Sequence, residues 1–119
     1  LDAEGIDLCR AGQISIIQVS TPQECFLLDV LGKGPEDPLV VWLRTLLERK
    51  DLVKIIHDCR MDSDALFHLL RIELISVHDS SCWHAAAGYV DKSLNDTLSH
   101  HGLSQNVVRD SSVYKINNA

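Results

Sequence analysis

Leu52-Val53-Lys54-Ile55-Ile56-His57-Asp58-Cys59-Arg60-Met61-Asp62-Ser63-Asp64-Ala65-Leu66 decides the fold. Its first half is an apolar run of strand length, bounded by a polar turn, and 52–57 reads as a buried strand. Its second half changes period. Ala65, Leu66, Leu69 and Leu70 recur at helical spacing, so Met61–Leu70 reads as a helix. In α/β sheets, ligands gather where strand ends feed helices. This turn is rich in acids. Asp58 and Arg60 lie between strand and helix, and Asp62 falls on the first helical turn with Asp64 close behind. Each of Asp58, Asp62 and Asp64 also suits a plainer role, capping the helix or complementing its dipole.

Upstream, Gln13-Ile14-Ser15-Ile16-Ile17-Gln18-Val19-Ser20 alternates polar and apolar for most of its length and reads as a strand. Thr21-Pro22-Gln23-Glu24 is a turn, and Cys25–Leu31 is a second run of strand length, giving an antiparallel hairpin. Gly32–Pro38 is a loop in which Asp37 caps the next helix and Pro38 takes its first position. Leu39, Trp42, Leu43, Leu46 and Leu47 carry that helix to about Arg49. Downstream, the pattern predicts a strand over Ile72–Val77, ending at His78-Asp79, a helix over Ser81–Val90, and a helix that Ser93 caps and Gly102 closes. A last helix is expected over Asn106–Ile116. Alternating strands and helices of this kind make a mixed β-sheet flanked by helices, an α/β plan.

At the start of the chain, Asp2-Ala3-Glu4 reads as the last turn of a strand, followed by a turn region from Gly5 to Gly12 with Gly12 as its hinge. Residues two apart on a strand share a face. Two carboxylates side by side repel unless a cation lies between them, and a hard divalent cation takes oxygen ligands of this kind. Taken alone, the pair reads first as two exposed acids at a frayed end.

The 119 residues fit one domain, 1–119, and 45% apolar content supplies a core that must be mostly Leu, Ile and Val, because aromatics are only 5%. No apolar run reaches 18 residues, so no membrane span or membrane partner is predicted. A net charge of −6 argues against nonspecific polyanion binding, which draws on Lys and Arg. Metal-site acids would inflate that count. Cys9, Cys25, Cys59 and Cys82 have no C-x-x-C spacing. They are expected to be reduced, mostly buried thiols of an intracellular protein, cytoplasmic or nuclear. The chain starts at Leu1 without a Met, as an excised piece would.

The stretches Asp2–Leu8, Gln13–Val19, Cys25–Val30, Val53–Leu66 and Ile72–Asp79 resemble the DEDD 3′–5′ exonuclease superfamily, in its ribonuclease D-like branch and most of all the Egalitarian-like subgroup. The resemblance covers about residues 1–110. Its most specific part is 53–66, where His57 stands five residues before Asp62, as in the family's second motif. It implies a ribonuclease H-like three-layer fold, truncated at both ends. By position, Asp2 and Glu4 resemble the first-motif metal ligands and Asp62 the second-motif acid, while Asp58 and Asp64 only flank it. His57 is expected to pack or shape the turn, and Asp79 matches a structural position. The family's third motif, Tyr-x-x-x-Asp or a His-containing variant, is missing; Tyr114-Lys115-Ile116-Asn117-Asn118 puts Asn where the acid belongs.

The chemistry implied is two-metal hydrolysis of a phosphodiester by Mg²⁺ or Mn²⁺, with Asp2, Glu4 and Asp62 as catalytic metal ligands that should converge. The implied partner is single-stranded nucleic acid, RNA rather than DNA, with protein partners in an RNA-associated complex. The fragment alone is expected to be inactive. Two other readings stand beside this one: a non-catalytic RNA-binding or adaptor module of the Egalitarian-like type, and an α/β domain whose acids merely cap helices.

Overall fold

The computed structural model describes residues 1–90 and 93–104, which divide into a unit of Leu1–Ser80 and a second unit from Ser81 onward. The predicted helix over Asn106–Ile116 and the Tyr114–Asn118 run lie outside the described residues.

In the first unit, β1 (Asp2–Ile6), β2 (Gln13–Ser20) and β3 (Cys25–Asp29) form an antiparallel sheet in that order. β1 faces β2 with Ala3 opposite Ile17, and β2 faces β3 with Ile17 opposite Leu28. Strand β1 extends two residues past its expected end, because Gly5 and Ile6 rejoin the ladder after an irregularity between Glu4 and Gly5. Glycine permits this: a Cβ at Gly5 would lie 1.9 Å from the Gln13 carbonyl oxygen. Gly12, the expected hinge, is crowded in the same way by the Asp7 carbonyl oxygen.

Helix α1 (Pro38–Leu47) starts as its sequence predicts, with the Asp37 carboxylate accepting from the Leu39 N–H at 2.9 Å. It buries Val40, Leu43 and Leu47. β4 (Lys54–Ile56) is shorter than expected and pairs in parallel with β5 (Val77–Asp79), Ile56 opposite Asp79. Between them runs α2 (Arg60–Leu70). The two ladders hydrogen-bond separately, with one bond from the Leu1 amine to the Ile55 carbonyl at 2.9 Å.

The predicted strand over Ile72–Val77 is corrected to Val77–Asp79. Residues 72–76 are held out of the sheet by other bonds. Ile72 N–H donates to the Leu66 carbonyl, Ile75 N–H to that of Leu47, and the Ser76 hydroxyl to that of Lys50. Ser76 is also left-handed, at φ 55. Arg44 adds a further tie, donating to the Pro35, Leu70 and Arg71 carbonyls, so that one guanidinium joins the end of α2 to the loop before α1.

The core is aliphatic as expected: Ala3, Ile14, Ile17 and Val30 of the sheet side meet Val40, Leu43 and Leu47 of α1 and Ala65, Leu66 and Leu70 of α2. A largely apolar groove of about 470 Å³ is lined by Leu1, Phe26, Leu28, Trp42, Val53 and Ile55, among others. Cys25 and Cys82 are exposed and Cys9 and Cys59 only half-buried, against the expected burial.

The helix expected over Ser81–Val90 is α3 (Ser80–Ala86), shorter because Gly88 turns to φ 95 soon after it. In the second unit α4 (Leu94–His100) has Ser93 as its cap, accepting from the Asp96 N–H, and Gly102 beyond its end at φ 69, both as predicted. Buried His84 stacks on Tyr89 and lies 3.2 Å from His101, ring nitrogen to ring nitrogen.

Candidate active site

Ala3 points into the core, which turns its neighbours Asp2 and Glu4 away from it. Asp2 is half-buried and Glu4 exposed. The first turn of α2 brings Asp62 to this strand from the other side. Asp62 is only 8% exposed, and its carboxylate accepts a hydrogen bond from the Ala3 N–H. Asp62 is therefore docked on the residue between Asp2 and Glu4, about sixty residues away in sequence.

Electrostatics there are unfavourable to charge. Burial pushes the Asp62 carboxyl up to about 6; the Ala3 N–H pulls it back, the negative charges of Glu4 and Asp58 raise it further, and the Leu1 amine lowers it, the smallest of these effects. Among the described residues no Lys, Arg or His forms an ion pair with Asp62.

Its two flanking acids are already engaged. Asp58 takes two bonds from the Arg60 guanidinium, at 2.8 and 3.1 Å, which hold its carboxyl below the usual range. Asp64 accepts from the Arg10 backbone N–H at 2.7 Å and from its guanidinium at 2.6 Å, and is held low by the same partner. Neither caps α2. Asp62, the acid chosen by motif position, is the one left buried without an arginine.

The start of α2 is unusual. Its N-cap residue, Cys59, makes no side-chain bond to the helix, and Asp58 before it is left-handed at φ 52. Sequence reading missed what replaces the cap. The Asp79 carboxylate, at the end of β5, accepts from the Asp58 and Cys59 N–H groups at 2.9 Å each. A cysteine at the cap position was the available signal that an acceptor had to come from elsewhere. His57 shapes the turn as expected, its Nδ1 lying 3.0 Å from the Ser80 hydroxyl.

The expected convergence is incomplete. Among the described residues, no three His, Cys, Asp or Glu side chains stand together as a metal cage. The donor chemistry nevertheless suits a hard cation. The Asp62 carboxylate sits on the Ala3 N–H between Asp2 and Glu4, the oxygens are carboxylate, and the buried one has no Lys, Arg or His in an ion pair with it, only the weaker pull of the Leu1 amine.

The chain is similar to several known proteins. The family model described as "3'-5' exonuclease" matches residues 1–113. The piRNA biogenesis protein EXD1 of Mus musculus is 38% identical over 78 residues, 66% of this chain and 14% of that protein. Its Xenopus laevis counterpart is 38% identical over 80 residues, 67% of this chain and 18% of that protein. The chain thus spans less than a fifth of the length of these relatives. Among solved structures, the Trypanosoma brucei RNase D complex with GMP superposes with a TM-score of 0.77 at 24% identity, over 98% of this chain and 39% of that one. Brucella melitensis NrnC bound to pGG gives 0.75 at 17%, over 94% and 56%. These two likenesses show the α/β fold of such nucleases, as the sequence predicts. The chain belongs to the 3′–5′ exonuclease domain family.

Proposed function

We propose that this chain is the acid-bearing part of a nuclease domain that hydrolyses phosphodiester bonds at the 3′ end of single-stranded nucleic acid by a two-metal mechanism. The observation that carries the reading is Asp62: a buried carboxylate with no Lys, Arg or His in an ion pair with it, held by the Ala3 N–H between two more carboxylates. Asp2, Glu4 and Asp62 would hold Mg²⁺ or Mn²⁺, after side-chain rotation that brings their oxygens together. Bound there, two such ions would supply a nucleophilic water at neutral pH and neutralise charge on the attacked phosphate and the leaving oxygen.

The chain's own contribution is placement. Ala3 anchors β1 in the core, so Asp2 and Glu4 are carried on a rigid strand rather than on a loose end. The Ala3 N–H orients the Asp62 carboxylate. Burial of Asp62 raises its affinity for any cation that neutralises it, because water is not there to do so.

RNA is the favoured substrate over DNA, a preference supported by the relatives named for piRNA biogenesis and for RNase D activity. Four cysteines with no C-x-x-C spacing favour a reducing compartment, cytoplasm or nucleus. The test is Mn²⁺-dependent release of nucleoside 5′-monophosphates from labelled single-stranded RNA and DNA by the full-length protein. Release that survives Asp62→Asn would sink the assignment.

A second reading has its own support. The curated relatives are named for piRNA biogenesis, not hydrolysis, and no three-acid cage stands among the described residues. Under it the domain binds RNA or a protein of an RNA-associated complex without cutting. RNA retention by the full-length protein with no nucleotide release under Mn²⁺ would select it.

A further inference from the structure

Helix α2 presents Asp62 yet cannot define its own beginning. Cys59 supplies no capping bond, and Asp58 sits in the left-handed region that L residues enter at a cost. A backbone bent this way persists only if something outside the turn over-determines it. The two N–H groups at the bend point away from the helix's own bonding pattern and end on a single carboxylate, that of Asp79. Asp79 is itself fixed, because it is opposite Ile56 in the β4–β5 ladder. The next residue repeats the connection: the Ser80 hydroxyl meets His57 Nδ1 and donates to the Ile56 carbonyl at 3.4 Å.

We propose that Asp79 is the positioning residue for Asp62: by holding the Asp58 and Cys59 amides it sets where α2 starts, and so delivers the Asp62 carboxylate to the Ala3 N–H. Three residues separate the held bend from Asp62, less than one helical turn, so a shift at the bend is carried to the carboxylate undamped. The Arg10–Asp64 bridge is a second tether on α2, but it holds the helix beyond Asp62 and leaves the bend itself unsupported. The catalytic consequence rests on the two-metal reading; the placement of Asp62 does not.

The experiment is amide hydrogen exchange by NMR on this 119-residue chain and its Asp79→Asn variant. Asparagine keeps the shape but turns one acceptor into a donor. Exchange at Asp58, Cys59 and Ala3 is expected to speed up at least tenfold, while Ile17 and Leu66 keep their protection. If Asp58 and Cys59 speed up and Ala3 does not, Asp79 merely caps a turn and the proposal is overturned. Should Asp79→Asn open the core as well, Asp79→Glu is read in the same way, since it keeps the charge one methylene out of place. Calorimetric Mn²⁺ titration of the same proteins supplies the second readout. Binding should weaken by about tenfold in Asp79→Asn, the usual cost of losing an outer support. A parent chain that takes no Mn²⁺ would defeat the two-metal reading, and the Ala3 amide would still judge the role of Asp79.

Discussion

Helices α1 and α2 begin in opposite ways. α1 carries its own start: Asp37 in extended conformation, its carboxylate on the Leu39 N–H, and Pro38 at the first position. α2 borrows its start from β5, across a left-handed Asp58 and a cysteine that caps nothing. The first arrangement is local and cheap. The second is long-range and strained, and it ends in a buried acid. Strain of this kind collects where geometry serves something other than stability.

The largest effect should come from the acid itself. Asp62→Asn is expected to reduce nucleotide release by the full-length protein about a hundredfold or more, as loss of one transition-state charge stabiliser commonly does. The same change should stabilise the metal-free chain. The folded carboxyl titrates near 6, above its unfolded value, so folding favours the protonated form. Its contribution is therefore intact below about pH 4 and lost as pH rises through 6. Denaturation at pH 7 should show Asp62→Asn more stable by about 2 kcal/mol, with the gain gone at pH 4. A variant equally stable at both pH values would refute the burial of Asp62.

Next are the two helix ends as such. Asp37→Ala should cost about 1 kcal/mol in urea unfolding, the ordinary worth of an N-cap. It should leave Ala3 amide exchange alone, because α1 presents no acid; coupling to Ala3 would blur the contrast between the helices. At the other end of α2, Arg71 is left-handed at φ 55, and its guanidinium is not what Arg44 bonds, which is the carbonyl. Arg71→Gly should therefore stabilise by up to about 1 kcal/mol, since glycine occupies that conformation without steric cost. The smallest effect belongs to Arg10→Ala. It removes an exposed pair on Asp64, so any loss of melting temperature should be slight at low salt and absent at high salt.

What could be read in advance follows the same division. β2 and α1 announce themselves because period, cap and turn residues all lie within the element. The start of α4 did so for the same reason, with Ser93 three residues before Asp96. The strand expected from Ile72 starts only at Val77, because Ile72 and Ile75 are held by carbonyls of Leu66 and Leu47, partners that no local pattern reveals. Asp62 was legible among three neighbouring acids only through motif position. The reason it differs, arginines on Asp58 and Asp64 but not on Asp62, depends on Arg10 arriving from the β1–β2 turn. Asp79 was legible as structural, but its partners at 58 and 59 exist only once β4 and β5 are paired.

The groove beside β4 has an optical consequence. Trp42, half exposed, is on its wall, and the only other tryptophan, Trp83, lies in the second unit. With Trp83→Phe in place, indole emission would come from the groove alone. Whatever segment or molecule fills that apolar slot should shift the emission to the blue as water leaves the ring, which makes the groove its own fluorescent reporter.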